Sequence, residues 1–170
     1  RDHTGIENLW VKSGGVTVKN DFRPLIRDLD SLPYVDREML SKYNSYRKLR
    51  RRIVLTGRGC PYKCAYCFNH AYNSLYQGKG KVIRRRSVEN VIGELKEIRE
   101  RHRARRFHFV DDTFILQDKW TFEFCEQYRQ ELGLPFICYT RANLVKDEVV
   151  RALKEAGCIV ILYAIEAGNE

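Results

Sequence analysis

The sequence predicts an α/β fold built on a parallel sheet, and three observations carry that reading. From residue 53 onward, short apolar runs alternate with segments whose apolar residues recur at helical spacing. The resulting order is β-α-β-α-β-α-β, and right-handed crossovers turn such an order into a parallel sheet with helices packed on it. Polar residues gather in the loops that follow the strands, where folds of this kind place their chemistry.

The elements follow in order. Leu9-Trp10-Val11 and Val16-Thr17-Val18 flank Ser13-Gly14-Gly15, which predicts a hairpin with a glycine turn. Residues 25–33 read as a connector, with Asp28, Asp30, Ser31 and Pro33 as turn formers, and 37–50 as a short charged helix. Residues 53–55 form a buried strand that enters a loop at Thr56-Gly57-Arg58-Gly59. Ser87 is a good N-cap for a helix carrying Val88, Val91, Ile92, Leu95 and Ile98 on one face. Phe107 and Phe109 alternate with His108 in a second strand, closed by Val110 before Asp111-Asp112. Asp118 is expected to cap a helix with Thr121, Phe124, Cys125, Tyr128 and Leu132 inward, ended by Gly133 and Pro135. Residues 136–140 make the third strand. Asp147 starts a helix with Val149, Val150, Leu153 and Ala156, and Gly157 suits its C′ position. Residues 158–165 are apolar nearly throughout, the pattern of a strand covered on both faces. The division expected is an arm over 1–50 and an α/β core over 51–170.

Composition sets the outer limits. With 44% hydrophobic and 12% aromatic residues among 170, the chain has material for a core, which excludes general disorder. The apolar run 158–165 falls far short of the roughly 20 residues of a membrane span. No charged segment followed by an apolar one opens the chain, so a soluble, cytoplasmic protein without a membrane partner is expected. The net charge of +9 resides in three arginine clusters, around 47–52, 84–86 and 99–106. They read as solvated loop and helix surface rather than a phosphate-binding face. No aromatic residues are interleaved to stack single-stranded bases, so a nucleic-acid partner is not favoured. The chain opens with Arg1 rather than Met and stops soon after an apolar strand. Such an edge invites further strands, and a longer protein is expected.

Six cysteines divide three and three. Cys125, Cys138 and Cys158 sit singly in apolar periodic segments and are expected in the core. Cys60, Cys64 and Cys67 have the spacing C-x3-C-x2-C. Three thiolates on a tight loop can hold three irons of a cubane cluster and leave the fourth open to another ligand. The alternative is a Cys3His zinc site with His70 as fourth ligand. Zinc ribbons usually pair two such knuckles and no second one occurs here, so spacing favours the cluster while leaving zinc open.

At this point a resemblance becomes specific. Arg58-Gly59-Cys60-Pro61-Tyr62-Lys63-Cys64-Ala65-Tyr66-Cys67-Phe68-Asn69 resembles the signature loop of the radical S-adenosylmethionine (radical SAM) superfamily. That family carries CxxxCxΦC, Φ aromatic, after the first strand of a partial TIM barrel, and the resemblance covers about 53–170. It implies the first four strands of a partial parallel (βα) TIM-type barrel, preceded by the hairpin and connector arm. It implies that Cys60, Cys64 and Cys67 ligate a [4Fe-4S] cluster and that Tyr66 lies by the adenine of S-adenosylmethionine. Asp111 or Asp112 would hold the methionyl amino group; Val110-Asp111-Asp112 replaces the family's common Gly-Gly-Glu, and one carboxylate has the alternative of capping the next turn. Arg141 would pair with the methionyl carboxylate through a bidentate fork, the alternative being a solvated arginine. Glu166, in Ile165-Glu166-Ala167-Gly168-Asn169, resembles the ligand of the ribose hydroxyls, although relatives often have Gly where this chain has Tyr163 or Ala164.

The arm is similar, more loosely, to the connector of the cobalamin-binding subgroup, through Gly5-Ile6-Glu7-Asn8-Leu9-Trp10 and Asp28-Leu29-Asp30-Ser31-Leu32-Pro33-Tyr34. No Asp-x-His-x-x-Gly cobalamin motif occurs in this chain; a cobalamin domain, if the intact protein has one, lies before Arg1. The function implied is reductive cleavage of S-adenosylmethionine to a 5′-deoxyadenosyl radical, or cobalamin-linked methyl transfer to a small-molecule substrate. An electron donor such as flavodoxin or ferredoxin is the implied protein partner. The alternatives are a tRNA-modifying member of the superfamily and a zinc-stabilised nucleic-acid-binding domain.

Overall fold

The computed structural model describes residues 3, 5–166 and 168. The chain divides into two compact units, Arg1–Arg27 with Gly59–Arg84, and Asp28–Arg58 with Arg85–Glu170.

In the first unit, β1 (Trp10–Ser13) and β2 (Val16–Lys19) pair antiparallel with Ser13 opposite Val16. Gly14 and Gly15 both take positive φ, 58° and 82°, the two left-handed positions that a tight two-residue hairpin turn requires. The segment after the hairpin packs on α3 (Asn69–Leu75) and the residues beyond it. Phe22 meets Tyr76 at 5.3 Å between ring centroids, Tyr76 meets Tyr72 at 4.8 Å, and Asp21 pairs with Lys79.

The second unit begins with α1 (Glu38–Ser41) and α2 (Asn44–Lys48), two short helices where one was expected. The break falls at Tyr43, whose extended backbone interrupts the helix. Four strands then form the sheet: β3 (Arg51–Val54), β6 (Arg106–Phe109), β7 (Phe136–Tyr139) and β8 (Cys158–Leu162), all parallel in the order β3-β6-β7-β8. Two-residue strands, β4 (Gly57–Arg58) and β5 (Arg84–Arg85), stand where the chain passes between units.

Three helices cover one face. In α4 (Val88–His102) the Ser87 side chain accepts from Asn90 N at 3.1 Å, the predicted cap, and Val88, Val91, Ile92, Leu95 and Ile98 are all buried. In α5 (Asp118–Glu131) the capping position is Gln117, without a side-chain cap. Asp118 is instead the first helical residue and pairs with Lys146 at 2.5 Å. Trp120 joins the predicted inner face by donating its indole N–H to Arg86 O at 2.8 Å. α6 (Asp147–Ala156) buries Val149, Leu153 and Ala156 and ends at Gly157, with φ 105°, whose N–H returns to Leu153 O and Lys154 O. Under these helices Val54, Phe107, Phe109, Phe136 and Cys138 form the sheet's share of a core that is dense in aromatic contacts.

The fourth strand departs from expectation. β8 stops at Leu162 and occupies the sheet edge, with Ile159, Val160 and Leu162 exposed. Among the described residues Cys158 and Ile161 pack on the core on one face, and the other face is open. Ile53, Val160, Tyr139 and Leu162 lie on that open face together with buried His108 and Ile137. The arginine clusters are also not uniformly solvated. Arg51, Arg52 and Arg106 lie within strands, and Arg52 is buried with its guanidinium donating to His102 O. Among the described residues no helix is long and apolar enough to cross a membrane.

Candidate functional site

Cys60, Cys64, Tyr66 and Cys67 belong to the first unit; Asp111, Asp112, Arg141 and Glu166 belong to the second. In the cysteine loop, Cys60 is buried while Cys64 and Cys67 are half-buried, and no disulfide joins any of them. Cys67 N donates to Cys64 O at 3.0 Å, so the last two thiols ride on one tight turn. Asn73 on α3 donates to Cys60 O at 3.0 Å and anchors the loop's start. Tyr66 and Phe68 project as largely exposed rings, 67% and 71%. His70 is exposed on α3.

Among the described residues no three His, Cys, Asp or Glu side chains are gathered closely enough to hold a metal ion. The fit of the loop therefore rests on its donor set. Three soft sulfur donors lie within eight residues, outside any disulfide, two of them open to solvent, which suits iron–sulfur ligation.

Gly59 sets how the chain enters this loop. Its φ is +85°, and a Cβ there would lie 2.4 Å from Val82 O, a backbone atom unable to yield cheaply. Gly59→Ala is expected to cost roughly 2 kcal/mol or more in left-handed strain and backbone clash. Thermal unfolding with and without reconstituted iron checks this; an unchanged midpoint would remove the requirement for glycine.

The second unit assembles its polar residues at the C-terminal ends of parallel strands. Asp111, two residues beyond β6, is 5% exposed. Its carboxylate accepts from Thr56 N at 3.1 Å on both oxygens, from Thr56 Oγ1 at 2.9 Å, and from Gly57 N. Burial pushes its pKa up, while the Arg85 charge and these donors oppose the rise. Arg85 donates to Thr56 Oγ1 and Thr113 O and lies over the Trp120 ring at 4.3 Å. Asp111 is thus engaged within the protein, tying the end of β3 to the end of β6. Asp112 is exposed beside it.

Arg141, two residues beyond β7, is half-buried, and its Nε donates to Asn143 Oδ1 at 3.2 Å. Glu166 is exposed beyond β8; of the motif around it, Ala167 and Asn169 lie outside the described residues, as does Glu170.

Sequence reasoning missed two groups here. Arg85 was indistinguishable from its charged neighbours because its burial depends on Trp120. His108 is 8% exposed, stacks on Tyr139 at 5.2 Å, and has no hydrogen-bond partner on either ring nitrogen among the described residues. Burial, followed by the Arg51 charge, lowers its pKa and keeps it neutral near pH 7.

The family described as the Radical SAM superfamily matches residues 54–170. An uncharacterized methyltransferase of Pyrococcus horikoshii is 32% identical over 99% of this chain and 36% of its own length. Cytidylyl-2-hydroxyethylphosphonate methyltransferase of Streptomyces wedmorensis is 28% identical over 68% of this chain and 21% of its own length. The anaerobic magnesium-protoporphyrin IX monomethyl ester cyclase of Rubrivivax gelatinosus is 28% identical over 95% of this chain and 29% of its own length. The chain therefore spans about a third or less of each of these relatives. Among solved structures, the radical S-adenosylmethionine methyltransferase TsrM of Kitasatospora setae, with tryptophan substrate and a SAM analog bound, superposes with a TM-score of 0.70. The likeness covers 99% of this chain and 34% of that one at 19% identity, and it shows a shared fold. TsrM has also been solved with cobalamin and a [4Fe-4S] cluster bound, with a TM-score of 0.69.

Proposed function

The chain belongs to the radical SAM superfamily, and on that premise we propose that it is part of a cobalamin-linked methyltransferase acting on a small molecule. The observation that carries this reading is the three-thiol loop 60–67, which follows the first sheet strand at the start of the matched region. Two relatives named as methyltransferases, and the fold shared with a methyltransferase solved with cobalamin, support methyl transfer.

Cys60, Cys64 and Cys67 would hold a [4Fe-4S] cluster, which when bound supplies the electron for cleaving S-adenosylmethionine. The chain's own residues then bind and orient the cofactor. Tyr66, already exposed, presents an aromatic face for adenine. Asp112, rather than the internally engaged Asp111, is the carboxylate available to the methionyl amino group. Arg141 offers a guanidinium fork for the methionyl carboxylate, and Glu166 a carboxylate for the ribose hydroxyls. Residues 1–50 serve as the arm toward a cobalamin domain, and 51–170 as the core. The setting is cytoplasmic, with flavodoxin or ferredoxin as electron donor.

Anaerobic reconstitution with iron and sulfide tests the proposal. The expected result is about four irons per chain with visible absorption, and S-adenosylmethionine consumption in the presence of reductant. Asp112→Asn should keep the iron and weaken S-adenosylmethionine binding about tenfold, in line with loss of one charge-assisted hydrogen bond. Asp111→Asn should instead lower the unfolding midpoint. Stoichiometric zinc without iron–sulfur absorption would sink the proposal.

A further inference from the structure

The N-terminal edge of the sheet carries a feature that radical SAM chemistry does not use. β3 and β6 both begin on arginine, and Arg51 is the register partner of Arg106. Arg50 stands beside them, because its carbonyl accepts from both Arg105 N at 2.8 Å and Arg106 N at 3.2 Å. Arg50, Arg51, Arg105 and Arg106, with Leu49 and Pro135, line a recess of ≈ 380 Å³. No carboxylate and no lysine is among the lining residues.

This arrangement is electrostatically unfavourable when empty. Neighbouring strands lie about 4.8 Å apart, and like charges directly opposite each other destabilise a sheet. Several arginines elsewhere have carboxylate partners: Arg23 with Glu7, Arg37 and Arg86 with Glu94, Arg99 with Glu100, Arg101 with Glu97 and Glu38, Arg129 with Glu126. Among the described residues, the guanidinium groups of the four recess arginines form no ion pair or hydrogen bond. All four are exposed to solvent.

We infer that this recess is a binding site for an oligophosphate group of the diphosphate class. The planar guanidinium fork matches phosphoryl oxygens in a bidentate way that lysine cannot reproduce. Arg51 and Arg106 open two adjacent strands, each preceded by a further arginine, so guanidinium forks stand at both strand starts and a ligand with two linked phosphoryl groups engages both. A single phosphate engages one. Leu49 and Pro135 supply a small apolar surface on which an organic body attached to the diphosphate can rest. The two arginine runs lie more than fifty residues apart in sequence, and only the parallel β3–β6 register unites them.

Calorimetric titration of the protein with inorganic pyrophosphate, and separately with ADP, at fixed ionic strength tests the site. Saturable one-to-one binding is expected, weakened at least about tenfold in the Arg51→Gln/Arg106→Gln double variant by loss of two charged hydrogen-bond donors. Pyrophosphate should raise the thermal midpoint of the unsubstituted protein and leave that of the double variant unmoved. The variant alone should melt no lower than the parent, since it removes like-charge repulsion, and this separates loss of the site from loss of the fold. Tighter binding of ADP identifies an organic diphosphate, and tighter binding of pyrophosphate a free one. No saturable binding of either, or equal binding by the variant, overturns the site. Binding of a single-stranded RNA without binding of pyrophosphate or ADP also overturns it, in favour of an extended surface.

Discussion

Cys64→Ala is expected to reduce iron incorporation from about four atoms per chain to below one, and to abolish S-adenosylmethionine consumption with it. A cubane held by three protein thiolates has no redundant ligand. Without one thiolate the loop would offer donors for only two irons, and the cluster would not be retained. Cys64 is the middle of the three and supplies the carbonyl that accepts Cys67 N, so its backbone also shapes the turn. Alanine preserves that carbonyl and removes only the sulfur, which isolates ligation from loop geometry. Cys125→Ala provides the contrast. Cys125 is buried on α5 and its thiol pKa is pushed up to about 12, chiefly by burial, so it is not a thiolate at neutral pH. Its replacement should leave iron content unchanged and lower stability modestly through a small cavity. Iron and acid-labile sulfide determination on both variants checks the pair. Full iron content in Cys64→Ala would exclude the three-cysteine cluster.

These two cysteines also show why some features were legible in the sequence and others were not. The three-cysteine motif is local, so its spacing can be read without knowing the fold. The α4 cap at Ser87 and the α6 terminus at Gly157 are local as well, and both stand where their residue types predict. Features that depend on distant partners were not legible. The run 158–165 reads as a strand covered on both faces, but an apolar run does not say which segments supply the cover or where the strand stops. β8 lies at the edge, and its open face carries Val160 and Leu162. Asp111 and Asp112 look equivalent in sequence. They separate only because Thr56, 55 residues away, closes on Asp111. Composition treats the charge runs alike, whereas burial sorts them residue by residue: Arg52 is buried, Arg85 half-buried, and Arg51 and Arg106 exposed.

Glu94 is the strongest case of such long-range dependence, and its removal carries the largest expected loss of stability. It occupies the inner face of α4 among Val91, Leu95 and Ile98, where an apolar residue would suit the helical period. Its two oxygens are divided between Arg37, at 2.5 Å, and Arg86. The side chains are 6% and 13% exposed for the arginines and 3% for the glutamate. Arg37 also donates to Ile53 O and Arg86 to Leu55 O, so one carboxylate secures the segment before α1 and the segment before α4 to β3. Glu94→Gln keeps the shape and removes the charge. It leaves two buried guanidinium groups facing each other without an anion, at a cost of about 3–5 kcal/mol. The expected measurement is a lower urea midpoint with an unchanged m-value, since the same surface is exposed on unfolding. Adding Arg37→Met to Glu94→Gln should recover part of that loss, because it removes one of the stranded charges and returns apolar volume to the site. A loss below about 1 kcal/mol for Glu94→Gln would mean that water reaches the triad and solvates it. Failure of Arg37→Met to recover any stability would mean that its hydrogen bond to Ile53 O, rather than its charge, is what the fold requires.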